Sequence, residues 1–275
     1  MTDGEEQPLV GGNVSDAVVR IGDTVRKPGL PQTPAVEAFL SYLNDAGFAG
    51  APQTLGRDER GRHVLEYVSG QLAHAMPLMD LDGLRRVGRL VRDLHDIAAG
   101  FIPPPDPRWE VYVPADRSDL ICHHDLAPWN LVCDQDRWVF IDWDGAGPGS
   151  RLWDMAWTAT GFVPLQPGGD PAEDAPRIRA LADGYGLTDE QRLEFAPLIG
   201  ARTRGMADLL YESARTGRQP WARLYAEGHD WGRAAEYAEQ NITTWKRVPS
   251  SSYQLSSWVW FRPGHNQPRV RVLTR

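Results

Sequence analysis

Apolar positions along this chain follow two rhythms. Residues 17–21 and 24–27 are short strand-like runs around a Gly22-Asp23 turn, and residues 63–68 form another run after a turn at Glu59-Arg60-Gly61. Between them, residues 35–46 carry Val36, Phe39, Leu40 and Leu43 on one helical stripe, with Thr33 placed as N-cap and Pro34 at the first helical position. The 3.6-residue rhythm returns over residues 80–97, where Leu84, Val87, Leu90, Val91 and Leu94 share a face. It recurs over 177–184, 188–198, 201–213 and 221–245, with Gly and Pro breaks between the segments. The proline-rich stretch 101–109 and the stretch 161–176 read as loops. Residues 246–275 have no helical period and predict at most one strand near 253–261.

The chemistry concentrates at residues 120–144. His123, Asp125 and Asn130 stand in the order H-x-D-x-x-x-x-N. Two apolar runs follow, 131–133 and 137–141, joined by the polar turn Asp134-Gln135-Asp136, and then comes Asp142. A hairpin returns the chain to its start, so Asn130 at its entrance and Asp142 at its exit should sit side by side, with Asp125 just before them. Two hard oxygen ligands beside a further carboxylate suit Mg2+, which takes few protein oxygens and completes its shell with phosphate and water. This is the kinase division of labour: Asp125 as the catalytic group that receives the acceptor proton, Asn130 and Asp142 as metal ligands. Zinc at His123, His124, Cys122 and Cys133 is disfavoured, because their spacing matches no usual ligand pattern.

The phrases HHDLAPWN and IDWDGAGPGSRLWDMAWTA resemble the aminoglycoside phosphotransferase family, small-molecule kinases with a protein-kinase-like fold. The likeness spans roughly residues 10 to 160 and thins afterwards. It implies a two-lobed α+β fold with a small β-rich N-lobe (1–70), a mainly helical C-lobe for catalysis and substrate (71–245), and an atypical tail (246–275). It also implies ATP and Mg2+ as cofactors, and a hydroxyl-bearing small molecule, such as an aminoglycoside, as acceptor. His123 and Asp154 become braces of the catalytic loop, and the late helices become the walls of the acceptor site.

Nucleotide contacts follow from the same template. Gly11 and Gly12 open a turn able to approach phosphates. Arg26-Lys27 ends the first hairpin; alternation turns only one of the two to the cleft, and the resemblance favours Arg26 with Lys27 second. Glu37 on the following helix is the expected partner of that cation, and the backbone near Glu66, Tyr67 and Val68 is the expected adenine contact. Asp144 stands two residues after Asp142, placed to assist the metal or meet a cation; the acidic loop at Asp170, Glu173 and Asp174 reads first as a solvated loop, with contact to an amine-bearing substrate as the alternative.

Composition narrows the partners. At 275 residues with 41% hydrophobic positions, the chain has the length for one large domain or two lobes. A formal net charge of -8 argues against nucleic acid. No apolar run is long enough for a bilayer, and the acidic start Met1-Thr2-Asp3-Gly4-Glu5-Glu6 is unlike a signal peptide, so the expected location is the cytoplasm without membrane contact. Cys122 and Cys133 read as free core thiols. Oligomeric state is not encoded legibly. The alternative to an enzyme is a silent nucleotide-binding module of the same fold serving regulation or interaction.

Overall fold

A computed structural model describes residues 5–9, 17–229 and 231–246. Gly11, Gly12 and the tail from residue 247 lie outside them. The N-terminal part is a five-stranded antiparallel sheet formed by β1 (Gln7–Pro8), β2 (Val19–Ile21), β3 (Thr24–Lys27), β4 (Thr54–Arg57) and β5 (His63–Glu66), in the order β1-β2-β3-β5-β4. The helix α1 (Thr33–Asp45) follows β3 and buries Val36, Phe39, Leu40 and Leu43, the stripe read from the sequence. Its start differs by one residue. Gln32 is the N-cap, Pro34 is the second helical residue, and the Thr33 hydroxyl accepts from the Leu30 amide at 2.8 Å, which holds the entering turn and not the helix amides.

The chain leaves β5 and enters a second sheet at β6 (Gln71–Leu72), which pairs with a strand of the catalytic hairpin. Gly70 allows this crossing: its φ is 143°, and a Cβ there would stand 2.6 Å from the Cys133 carbonyl oxygen. The helix α2 (Leu81–Ala98) then begins on Asp80, whose side chain accepts from the Gly83 amide at 2.8 Å. After a connector come β7 (Leu120–Cys122), β8 (Leu131–Cys133), β9 (Trp138–Phe140) and β10 (Gly147–Gly149). β7 pairs with β10, and β8 lies between β6 and β9.

Helices complete the larger part: α3 (Arg151–Phe162), α4 (Pro171–Tyr185), α5 (Asp189–Thr216), α6 (Trp221–Ala226) and α7 (Trp231–Lys246). α3 is buried along most of its length, with α5 packed against it and α7 against α5. Three segment boundaries depart from the sequence rhythm. The stretch 161–176 is not all loop, because Asp170 caps the start of α4 with Pro171 in its first turn, and Pro176 falls inside that helix. The two segments 188–198 and 201–213 are one 28-residue helix, α5, started by a Thr188/Gln191 capping box. Gly200 is there for packing: a Cβ would meet the Glu239 side chain of α7 at 2.9 Å. Segment 221–245 is instead split at Gly228, which takes φ 91°.

The fold is therefore the two-lobed, mixed α+β arrangement of protein-kinase-like small-molecule kinases. A common core joins α1, α2, the catalytic hairpin and α3 to α5. No helix among the described residues is long and apolar enough to cross a membrane.

Candidate active site

Hairpin register places the first pair of candidate residues. Leu131 pairs with Phe140, and the Ile141 amide donates to the Asn130 carbonyl at 2.8 Å, so Asn130 and Asp142 stand at the same end of the hairpin. Asp142 takes left-handed backbone angles, φ 64° and ψ 64°, a region that short polar side chains tolerate better than most. Its Oδ1 lies 2.6 Å from Lys27 Nζ, which is also 2.7 Å from Asp144 Oδ2. One ammonium against two carboxylates leaves the cluster net negative. Burial by itself would lower the Lys27 pKa, but the two carboxylates outweigh it and the net shift is upward. Lys27 in turn holds the Asp142 carboxyl below its ordinary range.

The preference for Arg26 is corrected by this geometry. Successive strand residues face opposite sides of the sheet, and β3 turns Lys27 to the cleft while Arg26 Nε lies 3.7 Å from Asp58 Oδ2 on the other side. Glu37 also departs from expectation. It is hydrogen-bonded by Arg57 Nε of β4 at 3.0 Å, so the carboxylates paired with Lys27 are Asp142 and Asp144 and not one from α1. Glu66 binds Arg137 at 2.5 Å and accepts from the Gln53 amide at 3.0 Å, tying the end of β5 to the catalytic hairpin. The backbone amides of Glu66 and Tyr67 donate to the carbonyls of Gln53 and Asp23, both at 2.9 Å, so these two amides are already engaged within the sheet.

Asp125 sits one short loop away, and its carboxylate is held by three donors. Trp157 Nε1 reaches Oδ1 at 2.7 Å; Asn130 Nδ2 at 2.7 Å and Trp129 Nε1 at 3.2 Å reach Oδ2. Burial raises the Asp125 pKa, and the Trp157 N–H bond, His123 and Trp129 oppose that rise. Because the Asn130 Nδ2 is turned to Asp125, its Oδ1 is the atom left to ligate a cation.

Two residues brace this loop from below. His123 Nδ1 accepts from the Asp125 amide at 3.2 Å and Nε2 faces the Ile141 carbonyl at 3.1 Å, which fixes the tautomer with the proton on Nε2. Burial keeps this ring neutral by lowering its pKa. Asp154, in the first turns of α3, accepts from the His124 amide at 2.9 Å, the His123 amide at 3.2 Å and His95 Nε2 at 3.1 Å. Burial would raise its pKa, but the His95 hydrogen bond and the neighbouring histidines bring it down to about 2. His95 also meets the Tyr185 hydroxyl at 2.9 Å, so α2, α3, α4 and the loop converge on one carboxylate.

His95, Cys122 and Asp154 come close enough to invite a metal. Both ring nitrogens of His95 are engaged, however, and burial pushes the Cys122 thiol well above its ordinary pKa, which keeps it protonated. Both cysteines are free and buried. The donor set that fits a cation is the oxygen-only one at Asp142, Asn130 and Asp144, with Asp142 partly open to the cleft; it suits a hard divalent ion.

Sequence reasoning passed over three members of the site. Trp129 and Trp157 were visible only as family phrase residues, with no sign that their indoles bind Asp125. Arg202 of α5 is fully buried, donates to the His124 carbonyl at 3.0 Å and lies over the Trp157 ring at 4.4 Å. Burial lowers its pKa to about 10, so it stays cationic beside the loop. The available signal was its place on the apolar stripe of Phe195 and Ile199.

A β-rich lobe over a helical lobe, with a His-x-Asp-x-x-x-x-Asn loop and an acidic residue at the exit of the next hairpin, defines a phosphotransferase of protein-kinase-like build. Residues 106–196 match the phosphotransferase enzyme family model. Over 227 residues the chain is 33% identical to the trifolitoxin immunity protein of Rhizobium leguminosarum bv. trifolii, covering 77% of this chain and 86% of that one. The chain belongs to the aminoglycoside phosphotransferase family of small-molecule phosphotransferases. Solved structures share its fold. Amicoumacin kinase hAmiN, in complex with AMP-PNP, Ca2+ and Ami, aligns with a TM-score of 0.62 at 15% identity, covering 91% of this chain and 92% of that chain. A choline/ethanolamine kinase family protein from Mesorhizobium loti aligns with a TM-score of 0.53 at 18% identity, covering 86% and 93%.

Proposed function

We propose that this protein transfers the γ-phosphate of ATP to a hydroxyl of a small molecule in the cytoplasm, with Mg2+ as the metal. The observation that carries the reading is the meeting of Asp125 with Asn130, and of Asp142 with Lys27, at one end of one hairpin. In this reading Asp125 orients the acceptor hydroxyl and receives its proton, Asn130 and Asp142 hold the metal, and Lys27 steadies the phosphates. Bound Mg2+ offsets the charge of the transferred group. His123 and Asp154 position the loop, backbone groups near Val68 would hold adenine, and the lobes divide at Gly70.

The immunity role named for the Rhizobium relative supports modification of an antibiotic as the physiological task, and an aminoglycoside is one acceptor the family admits. The pairing of Glu37 with Arg57 instead of Lys27 favours the second reading, a nucleotide-binding module without turnover. An ATP-turnover assay over aminoglycosides, amino alcohols and sugars separates the two. Acceptor-stimulated turnover that stops on chelation with EDTA and returns with Mg2+ is expected. Nucleotide binding with no stimulation by any acceptor supports the module.

The two indoles on Asp125 yield a pH prediction. The active form of Asp125 is the carboxylate, and the Trp157 N–H bond favours that form. Trp157→Phe removes the bond, so the Asp125 pKa rises further and the acid limb of the kcat/KM profile moves to higher pH. A bond to a charged group of about 1.5 kcal/mol corresponds to roughly one pH unit. An unmoved acid limb would show that the indole does not set the charge of Asp125.

A further inference from the structure

We propose that Arg202 of α5 is a positioning residue of the transfer reaction, fixing the direction in which Asp125 presents its carboxylate; the inference rests on the kinase reading of the site. His124, the residue before Asp125, has φ 67°, a left-handed conformation that a histidine keeps only where its surroundings impose it. Two clamps impose it. Asp154 Oδ1 accepts from the His124 amide at 2.9 Å, and Arg202 Nη2 donates to the His124 carbonyl at 3.0 Å. That carbonyl belongs to the peptide group leading into Asp125, whose amide donates to His123 Nδ1 at 3.2 Å. Arg202 on the oxygen and His123 on the nitrogen therefore set the plane of this peptide, and with it the line along which the Asp125 side chain leaves the backbone.

A second route runs through Trp157. The Arg202 guanidinium carbon lies 4.4 Å from the centroid of the Trp157 ring, and the indole Nε1 donates to Asp125 Oδ1 at 2.7 Å. A cation over the ring face draws electron density from it, which polarises the N–H as a donor and holds the ring against the loop. Stability gives no comparable reason for a cation here. Arg202 is 2% exposed, and its Nε and Nη1 have no hydrogen-bond partner among the described residues. A buried charge so poorly satisfied is a weak stabiliser. An apolar side chain of similar volume, in keeping with Phe195 and Ile199 on the same stripe of α5, is often neutral or better in such a place. What the guanidinium does have is two connections to one carboxylate.

Arg202→Met, followed by steady-state kinetics, ATP titration and solvent exchange of the indole protons by NMR, tests the proposal. Turnover should fall by roughly 10- to 100-fold while the ATP dissociation constant stays within about twofold, because Asp125 is displaced and the phosphate-binding groups are not. The Trp157 indole proton, assigned by its loss in Trp157→Phe, should exchange at least roughly tenfold faster. The Trp143 indole proton, donated to the Phe140 carbonyl at 2.8 Å, is the internal reference and should keep its wild-type rate. Arg202→Lys retains the charge and should fall between wild type and the Met variant in both readings. Turnover within about twofold of wild type, unchanged exchange at Trp157, equal acceleration of the Trp157 and Trp143 protons, or an ATP affinity that falls as far as turnover overturns the inference. Should the Met variant not fold, Arg202→Gln takes its place beside Arg202→Lys, and equal readings in those two overturn it. If the wild type transfers no phosphate, faster exchange confined to Trp157 upholds the hold of Arg202 on Asp125 while the kinase reading falls.

Discussion

Asp142→Asn is expected to lower kcat for phosphate transfer by roughly 10³-fold, since loss of a metal carboxylate removes several kcal/mol of charge stabilisation in the transition state. The substitution keeps the size of the side chain and removes its charge. Lys27 would then be left with Asp144 as its carboxylate partner. Nucleotide affinity should fall much less than turnover, because Lys27 remains in place to meet phosphate. Steady-state kinetics beside ATP titration checks this. A variant that turns over at the wild-type rate would remove Asp142 from the metal site.

Asp154→Ala is expected to cost stability more than any surface change, about 3 to 5 kcal/mol, because it strips one partner from a buried charged cluster. His95 and the amides of His123 and His124 would lose their acceptor together. Urea unfolding measures the loss, and a difference below about 1 kcal/mol would show that the carboxylate is a minor support. The pH dependence has a defined sign. The folded pKa of Asp154 is depressed to about 2 from an ordinary 3.8, so its contribution is present above about pH 4 and fades as pH falls through the folded value. Wild type and Asp154→Asn should therefore converge in stability on acidification across that window.

Much of this arrangement was legible in the sequence because it depends on local rules. The period-2 runs and the Asp134-Gln135-Asp136 turn specify the catalytic hairpin, and the hairpin alone brings Asn130 to Asp142. The apolar stripes of α1 and α2 specify which faces are buried. Hidden features depended on long-range packing. Lys27 and Arg26 are adjacent and similar in charge, so choosing between them needs the facing of β3, which no local signal supplies. Glu37 lies on the expected helix, yet Arg57 of β4, 20 residues further on, captures it. The Gly200 segment boundary was misread because a glycine placed for helix packing looks the same as a glycine that ends a helix. The three donors on Asp125 come from its own loop and from α3, and Arg202 comes from α5; side chains that converge through folding carry no mutual spacing in the chain.

The central claim is that Asp125 lies at the centre of a phosphate transfer to a hydroxyl. The measurement that tests it most directly is 31P NMR of a reaction containing ATP, Mg2+ and the best acceptor, with Asp125→Asn in parallel at nucleotide concentrations where both proteins are saturated. A phosphomonoester resonance on the acceptor, growing with ADP in the wild type and at least roughly 10²-fold slower in the variant, is the predicted result. Equal rates of phosphomonoester formation in the two proteins would contradict it.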